Sequence, residues 1–313
     1  MPSLRPALTL TLLLLAAVPL TAQSGWPTVR RDKALEAKLQ ALAAEVQGDV
    51  GIYVRHLKTG RGAMLRADEL FPTASLIKVP ILATVFDRIE RGTLRFDTTL
   101  VWADSLRYGG EDDLFDKLQA GAKIPLGQAT LMMITTSDNA ASLWLQGIVT
   151  GTAINQWLAA NGFDSTRVNS RTPGREANRT AMGWGQTTPR EVAELVARIR
   201  AGTVVSPAAS AEMYRHLTRI YYTAEALSAL PPWVQAASKQ GAVDRSRSEV
   251  VLVNGPSGDY VFAVITKHQQ DQSYARNNQG YVLLRNVSAL LWRHFEPKHP
   301  WTPSKGVDRF QPK

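Results

Sequence analysis

The sequence predicts an α+β fold in which an antiparallel sheet, flanked by N- and C-terminal helices, stands beside an all-helical subdomain. Three observations carry this. A helical pattern and a hairpin open the globular part, the middle of the chain is helical, and three strand-like runs followed by a helix close it. A first hairpin and a last set of strands can share one sheet, with the terminal helices on its outer face and the helical middle as a second layer. The sheet part is read as residues about 28–72 and 226–297, and the helical part as about 73–225. A cleft between two such parts is a common place for a small-molecule site.

Residues 1–23 read as an export signal. Arg5 supplies the positive charge, Leu8 to Val18 the apolar run, and the small residues around Ala22 a cleavage site. The run is short for a membrane span, and an uncleaved anchor is the alternative reading. Asp32 to Val46 carries Leu35, Leu39, Leu42 and Val46 at helical spacing. Gly51 to Leu57 alternates like a strand, 58–63 supplies turn residues, and Ala63 to Arg66 begins the return strand. A helix is predicted from Leu76 to Arg91, stopping at Gly92, with Pro80 close enough to its start to be tolerated. Residues 95–111 read as loop, including Trp102 and Tyr108.

Leu126 to Val149 reads as two helical pieces broken around 135–139, where Ser, Asp and Asn favour caps and turns. A further helix runs from Ala153 to Ala160 and stops at Asn161-Gly162. Residues 167–186 show no clear period, and a loop of that length within a compact domain is usually functional. Thr188-Pro189 opens another helix reaching about Ala201. Strands follow at 236–243, 249–254 and 260–267, with a Gly255–Asp259 turn between the last two. The closing helix spans Tyr281 to Phe295, and residues 298–313 are expected to form a loose polar tail.

Composition narrows the function. There is no cysteine, which excludes disulfides, thiol catalysis and a cysteine-bound zinc site. The five histidines show no H-E-x-x-H spacing, so no metal and no cofactor is expected. Gly255-Pro-Ser257-Gly258 is not the G-x-S-x-G of a Ser-His-Asp hydrolase. The formal charge of +9 comes from scattered basic residues, without the aromatic-interleaved stripe that tracks nucleic acid. It fits a solvated basic surface with a mild attraction for anionic substrates or envelope polymers.

The chemistry concentrates at Ser75-Leu-Ile-Lys78. Residues i and i+3 share a helix face, so the hydroxyl and the amine can meet. A serine needs a neighbour to take its proton, and a lysine does so only if burial or nearby positive charge lowers its pKa. S-x-x-K alone is common by chance, but Ser137-Asp138-Asn139 follows about sixty residues later and Lys239-Gln240-Gly241 opens the last strands. In order, spacing and context these three motifs resemble those of the class A β-lactamase family and of penicillin-binding serine hydrolases related to it. The resemblance extends over nearly the whole exported chain.

It implies a β-lactamase-like fold, with 28–297 as the catalytic domain. Ser75 is then similar to the family's acylated nucleophile, Lys78 to its proton-shuttling partner, and Ser137 to the hydroxyl that relays a proton to the leaving nitrogen. Asn139 would contact the substrate amide or hold Lys78. Lys239 would attract the substrate carboxylate, and the Ser75 and Ala242 N–H groups would form an oxyanion hole. Tyr108 is placed to stack on substrate at the rim, or is a plain loop aromatic.

The chain departs from the family pattern twice. Gln240 stands where a small hydroxyl residue is usual, beside Gly241. In the long loop, Asn178 follows Glu176 by two residues, where the family's asparagine follows its glutamate by four. Glu176 is either the deacylating base on a reshaped loop or a surface charge between Arg175 and Arg179. The expectation is an exported, monomeric serine hydrolase that opens a β-lactam amide. A penicillin-binding relative acting on peptidoglycan-like acyl groups, with little turnover, is the alternative, and a non-catalytic binder on the same fold a third.

Overall fold

The computed structural model describes residues 25–110 and 113–312; the export signal expected over residues 1–23 lies outside them. The chain runs β1 (Arg30–Arg31), α1 (Lys33–Ala43), β2 (Asp49–His56), β3 (Arg61–Leu65), β4 (Phe71–Pro72), α2 (Lys78–Glu90), β5 (Thr99–Val101) and β6 (Lys123–Pro125). It continues through α3 (Leu126–Thr135), α4 (Asn139–Val149), α5 (Gly151–Ala160), β7 (Arg167–Val168), α6 (Glu176–Met182), β8 (Gly185–Thr187), α7 (Pro189–Arg200) and α8 (Pro207–Leu217). β9 (Ala236–Val243), β10 (Ser246–Val253), β11 (Tyr260–Lys267) and α9 (Gln279–Phe295) complete it.

The fold is α+β, as the sequence predicts. The first hairpin and the last three strands form one six-stranded sheet in the order β1-β3-β2-β11-β10-β9. Its contacts are antiparallel except at the two-residue edge strand β1, which runs parallel to β3. The strands read as near-continuous apolar runs because both faces are covered. Val251, Val253, Phe262 and Val264 pack with Leu35 and Leu39 of α1 and with Leu283, Val287 and Leu291 of α9. Alternate residues Val250, Leu252, Val261 and Ala263 face the helical layer, where Val79, Leu82, Ala141, Leu145 and Val196 continue the same core. Each fully buried aliphatic side chain contributes about 1.5–3 kcal/mol.

Helix starts follow their caps. Asp32, Asp138, Thr188 and Ser206 accept the backbone N–H three residues on, at the heads of α1, α4, α7 and α8. Pro80 is the third residue of α2, where its missing N–H belongs to the turn that has no intrahelical acceptor in any case.

Several segments differ from expectation, among them residues 167–186, read as a loop, which carry β7, α6 and β8. The helix after Ser75 starts at Lys78, preceded by a 3₁₀ turn over Ala74–Ile77. Residues 95–111 are not all loop: β5 pairs with β6, and Trp102 is buried edge-on against Trp144 and Phe115. Three-residue strands are too short to show a period. α8 was not predicted, because its buried face mixes Met213 and Leu217 with Ser210 and His216. β10 begins at Ser246 rather than Glu249. Its polar start is buried because Arg247 bonds the carbonyls of Val243, Ser246 and Ser273. The tail is not loose: the indole N–H of Trp292 donates to His299 O at 2.8 Å, and Trp301 packs edge-on against Trp233.

Candidate active site

Ser75 sits in the 3₁₀ turn that joins the sheet to α2. Lys78, three residues on, is the first residue of α2, so the two motif residues straddle the junction of the turn and the helix. The turn is entered through Ala74 at φ +43°, a left-handed conformation that costs a non-glycine residue of order 1 kcal/mol and is held by its surroundings. Those surroundings include Thr73, whose N–H donates to Gly185 O. On the other side lies β9. A Cβ on Gly241 would meet Ser75 N and Thr73 O at 2.9 Å each, so only glycine lets the strand come this close to the Ser75 backbone. Ala242 lines the cleft next to it.

Two lysines converge from opposite walls on one hydroxyl. Lys78 Nζ donates to Ser137 Oγ at 3.1 Å, to Asn139 Oδ1 at 2.7 Å and to the Ser137 carbonyl. Lys239 Nζ donates to the same Ser137 Oγ at 3.0 Å, and to the carbonyl and side-chain oxygen of Gln240. Both lysines are fully buried. Desolvation pushes Lys78 down to about 7, against the opposing pull of the Asp113 and Asp138 charges. Desolvation and then the charge of Lys78 hold Lys239 well below its ordinary value, against Glu249. Ser137 is itself held at φ +57°. Gln240 turns its side-chain oxygen back onto Lys239 while still lining the cleft.

Carboxylates fix this arrangement from behind. Asp138 accepts from Ala141 N at 2.8 Å, capping α4, and from Phe115 N at 2.9 Å. Asp138→Ala is expected to cost about 2–4 kcal/mol, the sum of a lost cap and a buried amide left unpaired, read as a lower denaturation midpoint. Asp113 accepts from Asn139 N at 2.7 Å through Oδ1, and burial pushes its carboxyl up. Its buried Oδ2 has no hydrogen-bond partner among the described residues, and the residue lines the cleft with Ser75 and Ser137. Glu249, within the sheet behind Lys239, accepts from Ser238 Oγ and Ala226 N, and desolvation pushes it up to about 8. Sequence reasoning missed Asp113, since an acid beside Asp112 in a polar loop carries no distinguishing pattern.

The loop between α5 and α7 places its acid elsewhere. Glu176 opens α6 as an exposed residue, its carboxylate accepting from Gly174 N at 3.1 Å. Asn178 donates to Gln186 Oε1 at 3.1 Å. Neither is among the residues lining the cleft. The loop is tied inward by Arg175, whose guanidinium donates to Asn169 Oδ1 and Gln186 Oε1. What it presents to the lysines is Trp184, with Lys78 Nζ 5.9 Å from the ring centroid, and Tyr108 edge-on to the same indole. Tyr108 is partly exposed there, a ring resting on a ring. A tryptophan in a polar loop was the legible signal for Trp184.

The cleft encloses about 720 Å³ between the helical layer and β9. Besides the groups above, its far end is lined by Arg276, Arg285 and, from the tail, Gln311. A half-buried serine and a close backbone strand line this cavity, and two buried amines meet at the Ser137 hydroxyl on its wall. Among the described residues no cluster of three His, Asp or Glu side chains could hold a metal.

Comparisons with known proteins agree with the fold. The model of a family described as "Beta-lactamase enzyme family" matches residues 34–295. The chain is similar to a β-lactamase of Streptomyces cellulosae, with 26% identity across 82% of this chain and 84% of that protein. It is also similar to a β-lactamase of Rhodobacter capsulatus, at 26% identity across 79% and 85%. A match to the β-lactamase of Streptomyces lavendulae, at the same 26%, spans 61% of this chain and 64% of that protein's length. Among solved structures, PBP-A superposes with a TM-score of 0.77 at 24% identity, over 87% of this chain and all of that one. A β-lactamase from Sphaerobacter thermophilus gives 0.76 at 21%, over 86% and 100%.

Proposed function

The chain belongs to the β-lactamase enzyme family, and from that premise we propose that it is a serine hydrolase that opens a β-lactam amide through an acyl-Ser75 intermediate, with slow release of the acyl group. The observation that carries the reading is the shared Ser137 hydroxyl between two buried lysines, one with its pKa near neutrality. In the proposed acylation, neutral Lys78 takes the Ser75 proton as Oγ bonds the lactam carbonyl carbon. The C–N bond then breaks, and the proton reaches the departing nitrogen through Ser137. The Ser75 N–H and the N–H near Ala242 on β9 receive the developing oxyanion, a contribution worth about 10²–10³-fold per donor. Arg276, which lines the cleft, pairs with the substrate's carboxylate.

Slow release is favoured by the position of Glu176, which is exposed, and by the fact that no acid of residues 167–186 is among those lining the cleft. Deacylation needs a base to activate water. Glu176→Ala is therefore expected to change the deacylation rate less than about two-fold, as for an ordinary surface substitution. The mature protein is proposed to act outside the cytoplasm, on a small-molecule acyl substrate, as a monomer. No helix among the described residues is long and apolar enough to cross a membrane. The test is a hydrolysis assay run beside a count of acylated enzyme. One rapid equivalent of penicillin consumed, followed by slow turnover, supports the reading; fast multiple turnover that Glu176→Ala abolishes would overturn its second half.

A further inference from the structure

Residues 298–312 do not trail from the domain but return to the cleft. The path begins where Trp292 of α9 holds His299 O, continues with Trp301 edge-on to Trp233, and turns at Gly306, φ +79°. Trp233 lies three residues before β9, and Trp301 and Val307 of the tail line one hollow with Ala236, the first residue of that strand. Between tail and body, Trp301, Pro303 and Val307 roof an apolar hollow of about 400 Å³ with Leu227 and Leu230. The tail spans this hollow without filling it, and is therefore not merely core packing. Beyond a short 3₁₀ turn at Val307–Phe310, Gln311 and Pro312 are half-buried again and line the same cleft as Ser75.

The contact made there is specific. Arg276 Nη1 donates to Gln311 Oε1 at 2.9 Å, and both side chains line the cleft. A guanidinium presents a fork of donors that matches a carboxylate bidentately; a neutral amide oxygen takes one of them, more weakly. Arg276 is anchored in turn by its own carbonyl, which accepts from Arg285.

Resting on the acyl-Ser75 reading, we propose that the C-terminal tail is the outer wall of the substrate cleft and that Gln311 is a specificity-determining residue, occupying Arg276 until an anionic substrate group displaces it. Substrates with a carboxylate at that end enter by exchanging the amide for a stronger pair, and substrates without one meet a closed wall.

The experiment measures the second-order rate of Ser75 acylation by benzylpenicillin and by its methyl ester, in the full mature chain and in variants. Gln311→Ala is expected to raise the benzylpenicillin rate by about 3–10-fold, since it frees the guanidinium. Gln311→Glu is expected to lower it by at least about ten-fold, because the new carboxylate pairs with Arg276. Neither change should appear with the ester. Removal of 298–313, with thermal unfolding as a check on folding, should act in the direction of Gln311→Ala; the point variants carry the test if the truncated chain is unstable. Shifts below two-fold in both point variants, or equal shifts on acid and ester, overturn this proposal alone. No adduct in any form, wild type included, overturns the acyl-enzyme reading and this proposal with it.

Discussion

Lys78→Met is expected to slow acylation of Ser75 by about 10³–10⁴-fold, the contribution of a positioned base, and at the same time to make the protein more stable. Both effects follow from one burial. The amine is fully enclosed, with Ser137, Asn139 and the Trp184 ring around it and no carboxylate in direct contact. Its pKa lies near 7 in the folded chain, against 10.5 for an ordinary lysine. Between those values the unfolded chain binds more protons than the folded one, so stability rises with pH across that window and the charge opposes folding below it. Removing the amine lifts a cost of order a few kcal/mol at pH 7, offset in part by the acceptors on Ser137 and Asn139 left unpaired. In the wild type the acylation rate should fall about ten-fold per pH unit below 7, as Lys78 becomes charged. Stopped-flow acylation across pH, with melting curves of both proteins, reads the two effects together.

The second large effect is expected from the smallest change. Gly241→Ala adds one methyl group, but that group meets Ser75 N and Thr73 O at 2.9 Å, both backbone atoms, and Ser248 Oγ at 2.8 Å. Ser248 can rotate away; the backbone of the nucleophile's turn can move only by shifting off Gly185 and the sheet. Either β9 or the Ser75 turn must yield, and the hydrogen-bond donors proposed for the oxyanion hole lie one on each. Acylation should fall by about 10²–10³-fold, the worth of one such donor, and the fall should appear in the chemical step while binding of the drug changes little. Single-turnover kinetics over a range of drug concentrations separates the two.

The sheet and the flanking helices were legible because their periods are long and their caps conventional. Asp32, Thr188-Pro189 and the Gly255–Asp259 turn each mark a boundary by a local mechanism. β5, β6 and α8 were not, since three-residue strands carry no period and α8 buries His216 and Ser210 alongside its two large apolar residues. In the site, Ser75, Lys78, Ser137, Asn139 and Lys239 stand in recognisable triplets; Lys78 and Lys239 meet at the Ser137 hydroxyl, Lys78 also holds Asn139, and Ser75 lines the cleft with Ser137 and Asn139. Glu176 and Asn178 show the limit of spacing as a guide: two residues apart on a short helix, one is exposed and the other holds Gln186, and neither lines the cleft. Asp113 and Gln311 reach the site through tertiary contacts with Asn139 and Arg276, at long sequence distance, and no local pattern announces such contacts.

The most direct test is the mass of the intact mature protein after mixing with benzylpenicillin, beside Ser75→Ala, with the modified peptide mapped. The geometry predicts a stoichiometric adduct on Ser75 that forms within seconds and persists for many turnovers' worth of time, and none in the variant. An adduct elsewhere in the chain, or none with the wild type under conditions where it is folded, would contradict the account at its centre.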